Sequence, residues 1–443
     1  MTDMTVGAPR SHLWRYALPL LLGNWLQLSY NAIDSIIAGR FIGQSALAAE
    51  GIAGPVMNLL ILAISGLCIG AGVLMSEAFG ARDHLRLQRI LANTLMAGFA
   101  VCCALALAGL VLAEQILALL AVPEEIFGIT AAYLRITFLG APFTFCYNAL
   151  AAGLKSVGDA DTPLKFLAFS AILNGVLDLF FLGILHFGIL CSALTTVFAE
   201  AVCAGLAVAY LLRKVPLLCP RREQWRFEPA ILKQVLSYGA PTALQQAIQP
   251  VCKVLIQGQV NALGVSAIAA FNAVTRADDF ACIPAQSISS GISTYIAQNR
   301  GAEKPQRIRS GFRAGIGMEL CYWLLIGTVT ALLRRPLVSM FVTGRGSEEV
   351  IRLGSGYLAW MALFYLLPAM TNGFQGFFRG MGKMYTTMLG TFLQASIRTL
   401  GTFLLAPRLG ITGIAFSCAI GWSAMLLFEV PYYFFTCRRK RLV

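Results

Sequence analysis

Twelve apolar runs follow one another along this chain of 443 residues, near 15–38, 52–77, 90–112, 127–151, 162–183, 189–212, 232–257, 271–298, 311–333, 350–377, 385–405 and 411–436. Each is close to the ~20 residues a helix needs to cross a bilayer. Charged residues make up 12% of the chain, about half the ~25% share of a soluble domain. A membrane β-barrel would alternate polar and apolar residues over strands of about 10 residues, and no such alternation occurs here. The pattern predicts an all-α polytopic membrane protein.

The formal charge of +13 raises the question of nucleic acid, and the placement of the basic residues answers it. They gather at alternate loops: Arg10 and Arg15; Arg82, Arg86 and Arg89; Lys155 and Lys165; Arg213, Lys214, Arg221, Arg222 and Arg226; Arg300, Lys304, Arg307, Arg309 and Arg313; Arg379 and Lys383; Arg438 to Arg441. Loops rich in Lys and Arg stay in the cytoplasm, so both termini are expected there. One connection departs from the rule, with Arg334, Arg335, Arg345 and Arg352 around it. Met1 to Arg10 leads straight into Trp14 and a spanning run without a small-residue cleavage pattern, so no removable signal peptide is expected. The 12 cysteines are scattered with no C-x-x-C spacing, which points to packing rather than metal or disulfide chemistry.

The chain also repeats itself. Tyr133-Leu134-Arg135, Asn148, Lys155 and Gly158 recur at one constant offset as Tyr357-Leu358-Ala359, Asn372, Arg379 and Gly382. Upstream, at a slightly shorter offset, Pro19 pairs with Pro241, Gly43 to Ala49 with Gly264 to Ala270, and Gly80-Ala81 with Gly301-Ala302. The basic, Pro-containing segment Arg213 to Arg226 separates the copies. The predicted organisation is an amino-terminal lobe, 1–212, a cytoplasmic linker, 213–231, and a carboxy-terminal lobe, 232–443. Six spans per lobe return each lobe to its starting side. The repeats are therefore parallel, related by an axis along the membrane normal. Two such halves suggest a transporter with its pathway between them.

A charge at bilayer depth costs at least ~2.5 kcal/mol and asks for a reason. Asp34 lies in the first span with Asn31 one turn before it, and Asp178 lies in the fifth with Asn174 one turn before it. At a rise of 1.5 Å per residue, Asp34 and Asp178 fall roughly 28 and 24 Å from the starts of their spans. Thr196, on the oppositely directed sixth span, falls about 10 Å from its start, at a similar depth. Asp34, Asn174, Asp178 and Thr196 thus form a candidate set able to ligate Na⁺ or share a proton. At the repeat-equivalent positions stand Leu255, Arg398 and Thr402 in place of Asp34, Asn174 and Asp178. The acidic set therefore belongs to the first half alone. The second half offers Gln249 and Lys253 in its first span, and Asp278 and Asp279 in the next. Lys253 and the two aspartates are at similar depth and are expected to neutralise one another. With no P-loop and no metal-spaced Cys/His set, and no recognisable nucleophile and base, an enzyme is not expected. No cofactor is expected beyond Na⁺ or H⁺ as coupling ion.

In combination these residues resemble a known family. Ala17-Leu18-Pro19-Leu20, Tyr30 to Gly43 (YNAIDSIIAGRFIG) and Ala46 to Ala49 are similar to the first-helix signature of bacterial MATE (multidrug and toxic compound extrusion) transporters. Gly153 to Leu164 (GLKSVGDADTPL), Ile172 to Asp178 (ILNGVLD), Ala267 to Phe271 and Gln298 to Ala302 continue the likeness. The resemblance implies twelve helices in a V-shaped pair of six-helix lobes in the bacterial inner membrane, and a monomer is expected because the pathway lies within one chain. It implies antiport, exporting organic cations or amphipathic drugs in exchange for H⁺ or Na⁺. The family's amino-lobe cation site falls on Asp34, Asn174, Asp178 and Thr196. Carboxylates that some members carry on the seventh and tenth helices have no counterpart here. The alternative is a lipid-linked oligosaccharide or polysaccharide flippase of the same superfamily, for which Arg276, Lys253 and Arg398 would face the pyrophosphate. Asn31, Gln249, Lys253, Asp278, Asp279 and Arg398 are the candidate substrate-pathway residues.

Overall fold

Hydrocarbon offers no hydrogen-bond partners, so an apolar run must satisfy its backbone internally, as a helix. In the computed structural model of the protein, the backbone is described for residues 2–41, 44–342 and 347–438. Side chains are described for all of these except 30–41, 44–47 and 436–438. Thirteen α-helices result: α1 Pro9–Phe41, α2 Gln44–Gly80, α3 His84–Leu119, α4 Glu124–Ser156, α5 Asp161–Asp178, α6 Ile189–Lys214, α7 Pro229–Asn261, α8 Val265–Gly301, α9 Pro305–Ser339, α10 Ser347–Phe364, α11 Leu366–Gly380, α12 Met384–Leu409 and α13 Ile411–Tyr432. No strand occurs among the described residues. The all-α polytopic architecture expected from the apolar runs is the one observed.

Each run lies on one helical path. The tenth is divided between α10 and α11, which meet at a bend of 46°. Pro368 explains the break: its ring nitrogen has no hydrogen to give to the carbonyl four residues earlier, Phe364. Seven described helices are both long and apolar enough to cross a bilayer, and the bent pair makes an eighth. α1, α7, α8 and α12 have the length, at 33, 33, 37 and 26 residues, but carry more polar side chains. The protein is a multi-pass membrane protein.

The repeat is visible in the turns as well as in the sequence. Gly158 and Gly382, which correspond, both hold positive φ, 78° and 74°. There a Cβ would clash, and glycine avoids the cost. Arg82 and Glu303 also correspond, and both are left-handed at φ 59° and 54°. The two halves thus close the α2–α3 and α8–α9 connections with the same backbone turn.

Two compact units are formed: Met1–Asp3 with Leu22–Ala243, and Met4–Leu21 with Leu244–Val443. The linker expected at 213–231 falls between the body of α6 and that of α7, whereas the compact units divide within α1 and α7. Each unit contains the opening half of the helix that begins the other repeat. In the first unit, Leu74, Met75, Leu87, Leu91, Leu150 and Leu154 are buried together where α2, α3 and α4 pack. In the second, Val274, Tyr357, Leu358, Met361 and Ile414 are buried together where α8, α10 and α13 pack.

Small residues set the closest helix approaches, because lipid-embedded helices associate through backbone proximity rather than the hydrophobic effect. In the first unit, a methyl group on Gly70 of α2 would lie 2.5 Å from the Gly239 nitrogen of α7. In the second, a methyl on Gly376 of α11 would lie 2.5 Å from the Ser289 carbonyl oxygen of α8, and one on Gly380 would lie 2.7 Å from that of Ser293. The Ser289 hydroxyl donates to the Asn372 carbonyl at 2.6 Å, pinning α8 to α11.

Candidate functional site

The first unit brings α5 and α6 together around a buried carboxylate. Asp178 is the last residue of α5, and the chain widens there into a π-helical turn, Leu179–Ile184. Such π segments recur at functional sites in helices. Asp178 is 0% exposed and Asn174 is 1% exposed. The Asn174 amide lies 3.4 Å from the Thr196 hydroxyl on α6, joining two of the sequence-derived residues. The Asp178 carboxylate accepts instead from the hydroxyl of Thr195, a residue the depth argument passed over. That hydroxyl also lies 2.8 Å from the Ser192 carbonyl. Asp34 and Asn31 lie outside the residues whose side chains are described.

One helical turn further along α6, Glu200 accepts from the Thr144 hydroxyl of α4 at 2.6 Å. Its neighbour across the interface is Gly140, where an added methyl would stand 3.0 Å from the Glu200 oxygen. A second carboxyl group therefore shares α6 with the Asp178 partner. A threonine hydroxyl thus ties α6 to α5 at Asp178 and to α4 at Glu200.

The second unit holds two further polar groups. Lys253 of α7 pairs with Asp279 of α8 at 3.2 Å, with the two side chains 55% and 47% exposed. Asp278 feels Lys253 only at longer range and makes its hydrogen bond elsewhere. Adjacent helical residues project about 100° apart, so the two aspartates face different neighbours. Asp278 accepts from the Tyr365 hydroxyl, which stands at the break between α10 and α11. Arg398 of α12 lies within electrostatic reach of Asp278, Tyr357 and Cys418. Arg276 is exposed.

Gln245 of α7 donates to the Gln375 side-chain oxygen of α11 and to the Thr391 hydroxyl of α12, each at 2.9 Å. Gln375 in turn donates to the Thr387 carbonyl at 3.3 Å and to the Glu429 carboxylate of α13. Gln249 donates to the Gln394 oxygen at 3.2 Å, one turn along the same two helices, α7 and α12. Glu429 is 0% exposed. Among the described residues, its second oxygen and the Gln245 side-chain oxygen are buried without partners. Both orphans are acceptors, so what this network lacks is a donor or a cation. The sequence reasoning missed Glu429, although it is the only charged residue between Ile411 and Tyr432. Glu319 of α9 is likewise 0% exposed, and neither of its oxygens has a hydrogen-bond partner among the described residues.

A neutral glutamic acid at this position still accepts from Gln375, and it carries a proton to donate where a carboxylate only accepts. Glu429→Gln mimics that neutral form and is expected to leave the unfolding temperature of the purified protein unchanged. Glu429→Leu removes the acceptor of a buried amide, which costs about 1–3 kcal/mol. It is expected to lower the unfolding temperature by several degrees. Equal stability of the two variants would mean that the carboxyl group is not held by Gln375 in solution.

Comparison with known proteins covers almost the whole chain. The family model MatE matches residues 19–180 and 241–404, one stretch in each repeat. The "Probable multidrug resistance protein YpnP" of Bacillus subtilis (strain 168) is 28% identical over 451 residues, covering 96% of this chain and 98% of that protein. The "FAD transporter" of Shewanella oneidensis is 28% identical over 341 residues, covering 75% of this chain and 74% of its own. A solved structure described as the outward-facing conformation of a multidrug resistance MATE family transporter superposes with a TM-score of 0.92. It is 18% identical and covers 99% of this chain and 98% of that one. At that identity the likeness is one of fold.

Proposed function

The chain belongs to the MatE family, and from that premise we propose that it is a secondary active exporter of small amphipathic or cationic molecules, driven by H⁺ or Na⁺. The buried Asp178, shared with Thr195 and set beside the Asn174–Thr196 contact, is the observation that carries this reading. An intramembrane carboxylate is functional by default, because burying it without use is costly. With Asp34, the residues Asn174, Asp178 and Thr196 make up the proposed coupling site, now joined by Thr195. The relatives' names, multidrug resistance and FAD transport, support a small-molecule substrate. The protein is taken to act as a monomer in the bacterial inner membrane, with both termini cytoplasmic.

A proton suits this arrangement. Thr195 has one hydroxyl hydrogen and two oxygens within bonding distance, on Asp178 and Ser192. Both contacts become hydrogen bonds when Asp178 carries a proton and donates it to Thr195, which then donates to Ser192. A carboxyl group that gains and loses that proton as the site opens to either side couples a pH gradient to transport.

Export is favoured over lipid-linked glycan flipping by the surroundings of the basic residues. Lys253 is tied to Asp279, and Arg398 lies within electrostatic reach of Asp278. A pyrophosphate site would need these cations uncompensated.

Proteoliposomes loaded with a fluorescent organic cation test the proposal, with a pH gradient and a Na⁺ gradient imposed separately. Movement under one gradient names the ion. Movement under neither, in a demonstrably folded protein, would end the exporter reading. Thr195→Val keeps the carboxyl group but removes its partner. A hydrogen bond to such a group is worth about 1.5–3 kcal/mol. The ion concentration for half-maximal transport is therefore expected to shift by about tenfold or more. An unchanged value would show that Thr195 plays no part in holding the ion.

A further inference from the structure

A pocket of about 560 Å³ lies between the amino-terminal segment and the start of α9. Its lining is Arg10, Gln306, Arg309, Ser310 and Arg313, with Ala8, Pro9 and Ala314. Three guanidinium groups line one concavity, and among the described residues no carboxylate lines it. Gln306, Arg309, Ser310 and Arg313 are spaced three and four residues apart, so they share one face of α9.

The opposite wall is built, not a loose tail. The Met4 backbone N–H donates to the Gln298 side chain at 3.0 Å, and its carbonyl accepts from Asn299 at 3.2 Å and from Arg307 at 3.0 Å. Lys304 donates to the Thr5 carbonyl at 2.9 Å, and Arg307 to that of Gly7 at 2.9 Å. The Met4 side chain is 1% exposed. This strap delivers Arg10 to the pocket at the first turn of α1.

An apolar stripe leads away from the arginines. Arg10, Trp14 and Leu18 are spaced four apart and occupy one face of α1. Trp14 and Leu18 are 58% and 40% exposed. A polar cradle that hands over to an interfacial tryptophan and then an exposed leucine has the profile of a phospholipid at the membrane boundary.

We propose that this pocket binds the phosphate head group of an acidic phospholipid, with the acyl chains lying along Trp14 and Leu18. Guanidinium groups bind phosphate through paired N–H donors, and a pocket of this size suits a glycerophosphate head group. The acidic phospholipids are singled out because net negative charge is what three arginines select, and the apolar stripe is what separates a lipid from free phosphate.

The test measures lipid binding to the full-length protein by native mass spectrometry. Phosphatidylglycerol, phosphatidylcholine and inorganic phosphate are each titrated against wild type, Arg309→Gln/Arg313→Gln and Arg221→Gln/Arg222→Gln. Phosphatidylglycerol is expected to bind wild type at least about tenfold more tightly than phosphatidylcholine. The Arg309/Arg313 variant should lose that preference, while the Arg221/Arg222 variant, of equal charge change in the linker, keeps it. Equal binding of the two lipids, or equal loss in both variants, would overturn the proposal. Inorganic phosphate competing as strongly as the lipid would identify a phosphate site and overturn the lipid assignment. Unfolding temperatures guard against misfolding. If the Arg309/Arg313 variant is unstable, Arg10→Gln and Trp14→Ala are read in its place, with the same loss expected and an unchanged preference overturning the proposal.

Discussion

Asp178→Asn is expected to abolish gradient-driven transport, reducing it to the level of empty liposomes, while the protein stays folded. Asparagine matches the shape of the carboxyl group and can still contact the Thr195 hydroxyl, so the packing of α5 against α6 survives. It cannot gain and lose a proton and contributes no charge to a bound cation. Asp178→Glu retains the chemistry but displaces it by one methylene, and should keep a reduced, gradient-dependent rate. The measurement is fluorescent cation movement under an imposed pH or Na⁺ gradient, with the unfolding temperature as the control for folding. Undiminished transport in Asp178→Asn would sink the proposed coupling site. Loss in both variants with a normal unfolding temperature would leave the site in place and show it to be intolerant of any displacement.

Gly376→Val is expected to be the most damaging single substitution for stability. The first added carbon would already sit 2.5 Å from the Ser289 carbonyl oxygen, well inside contact distance. That oxygen belongs to helix backbone and cannot turn aside as a flexible side chain could. α8 and α11 would have to separate, taking with them the Ser289–Asn372 hydrogen bond. Overpacking typically costs 1–3 kcal/mol, occasionally more, and about 3 kcal/mol is expected here. Yield of monodisperse protein and unfolding temperature should both fall sharply. Gly317→Val is the matched control, because open space surrounds that glycine. Similar behaviour of the two variants would mean that the small-residue contact does not hold these helices.

The helices and their order were legible in the sequence because each apolar run must satisfy its own backbone, a local requirement. The proposed coupling set was partly legible for a similar reason. Rise per residue converts position into depth, and depth placed Asn174, Asp178 and Thr196 together. Depth does not fix the direction in which a side chain points. Thr195 and Thr196 stand at nearly the same height but about 100° apart around the helix, and the contact with Asp178 went to Thr195. The same limit explains Asp278 and Asp279, adjacent in sequence and turned towards Tyr365 and Lys253 respectively. The Gln245–Gln375–Glu429 network was hidden for another reason. Its members stand on three helices, 130 and 54 residues apart in the chain. No spacing rule within one helix brings them together.

The exchange of half-helices between the two compact units bears on how the protein is made. Met4–Leu21 leaves the ribosome ahead of the whole first repeat, yet the unit that includes it is completed only with the helices that follow Leu244. The first unit, for its part, is incomplete at the end of α6 and waits for residues 229–243. A gene cut in the linker after Lys214 would therefore encode two polypeptides, neither of which contains a whole unit. One would carry an orphaned amino-terminal half-helix, and the other an orphaned opening half of α7. Duplication gave the chain two similar halves, but translation cannot finish them one after the other.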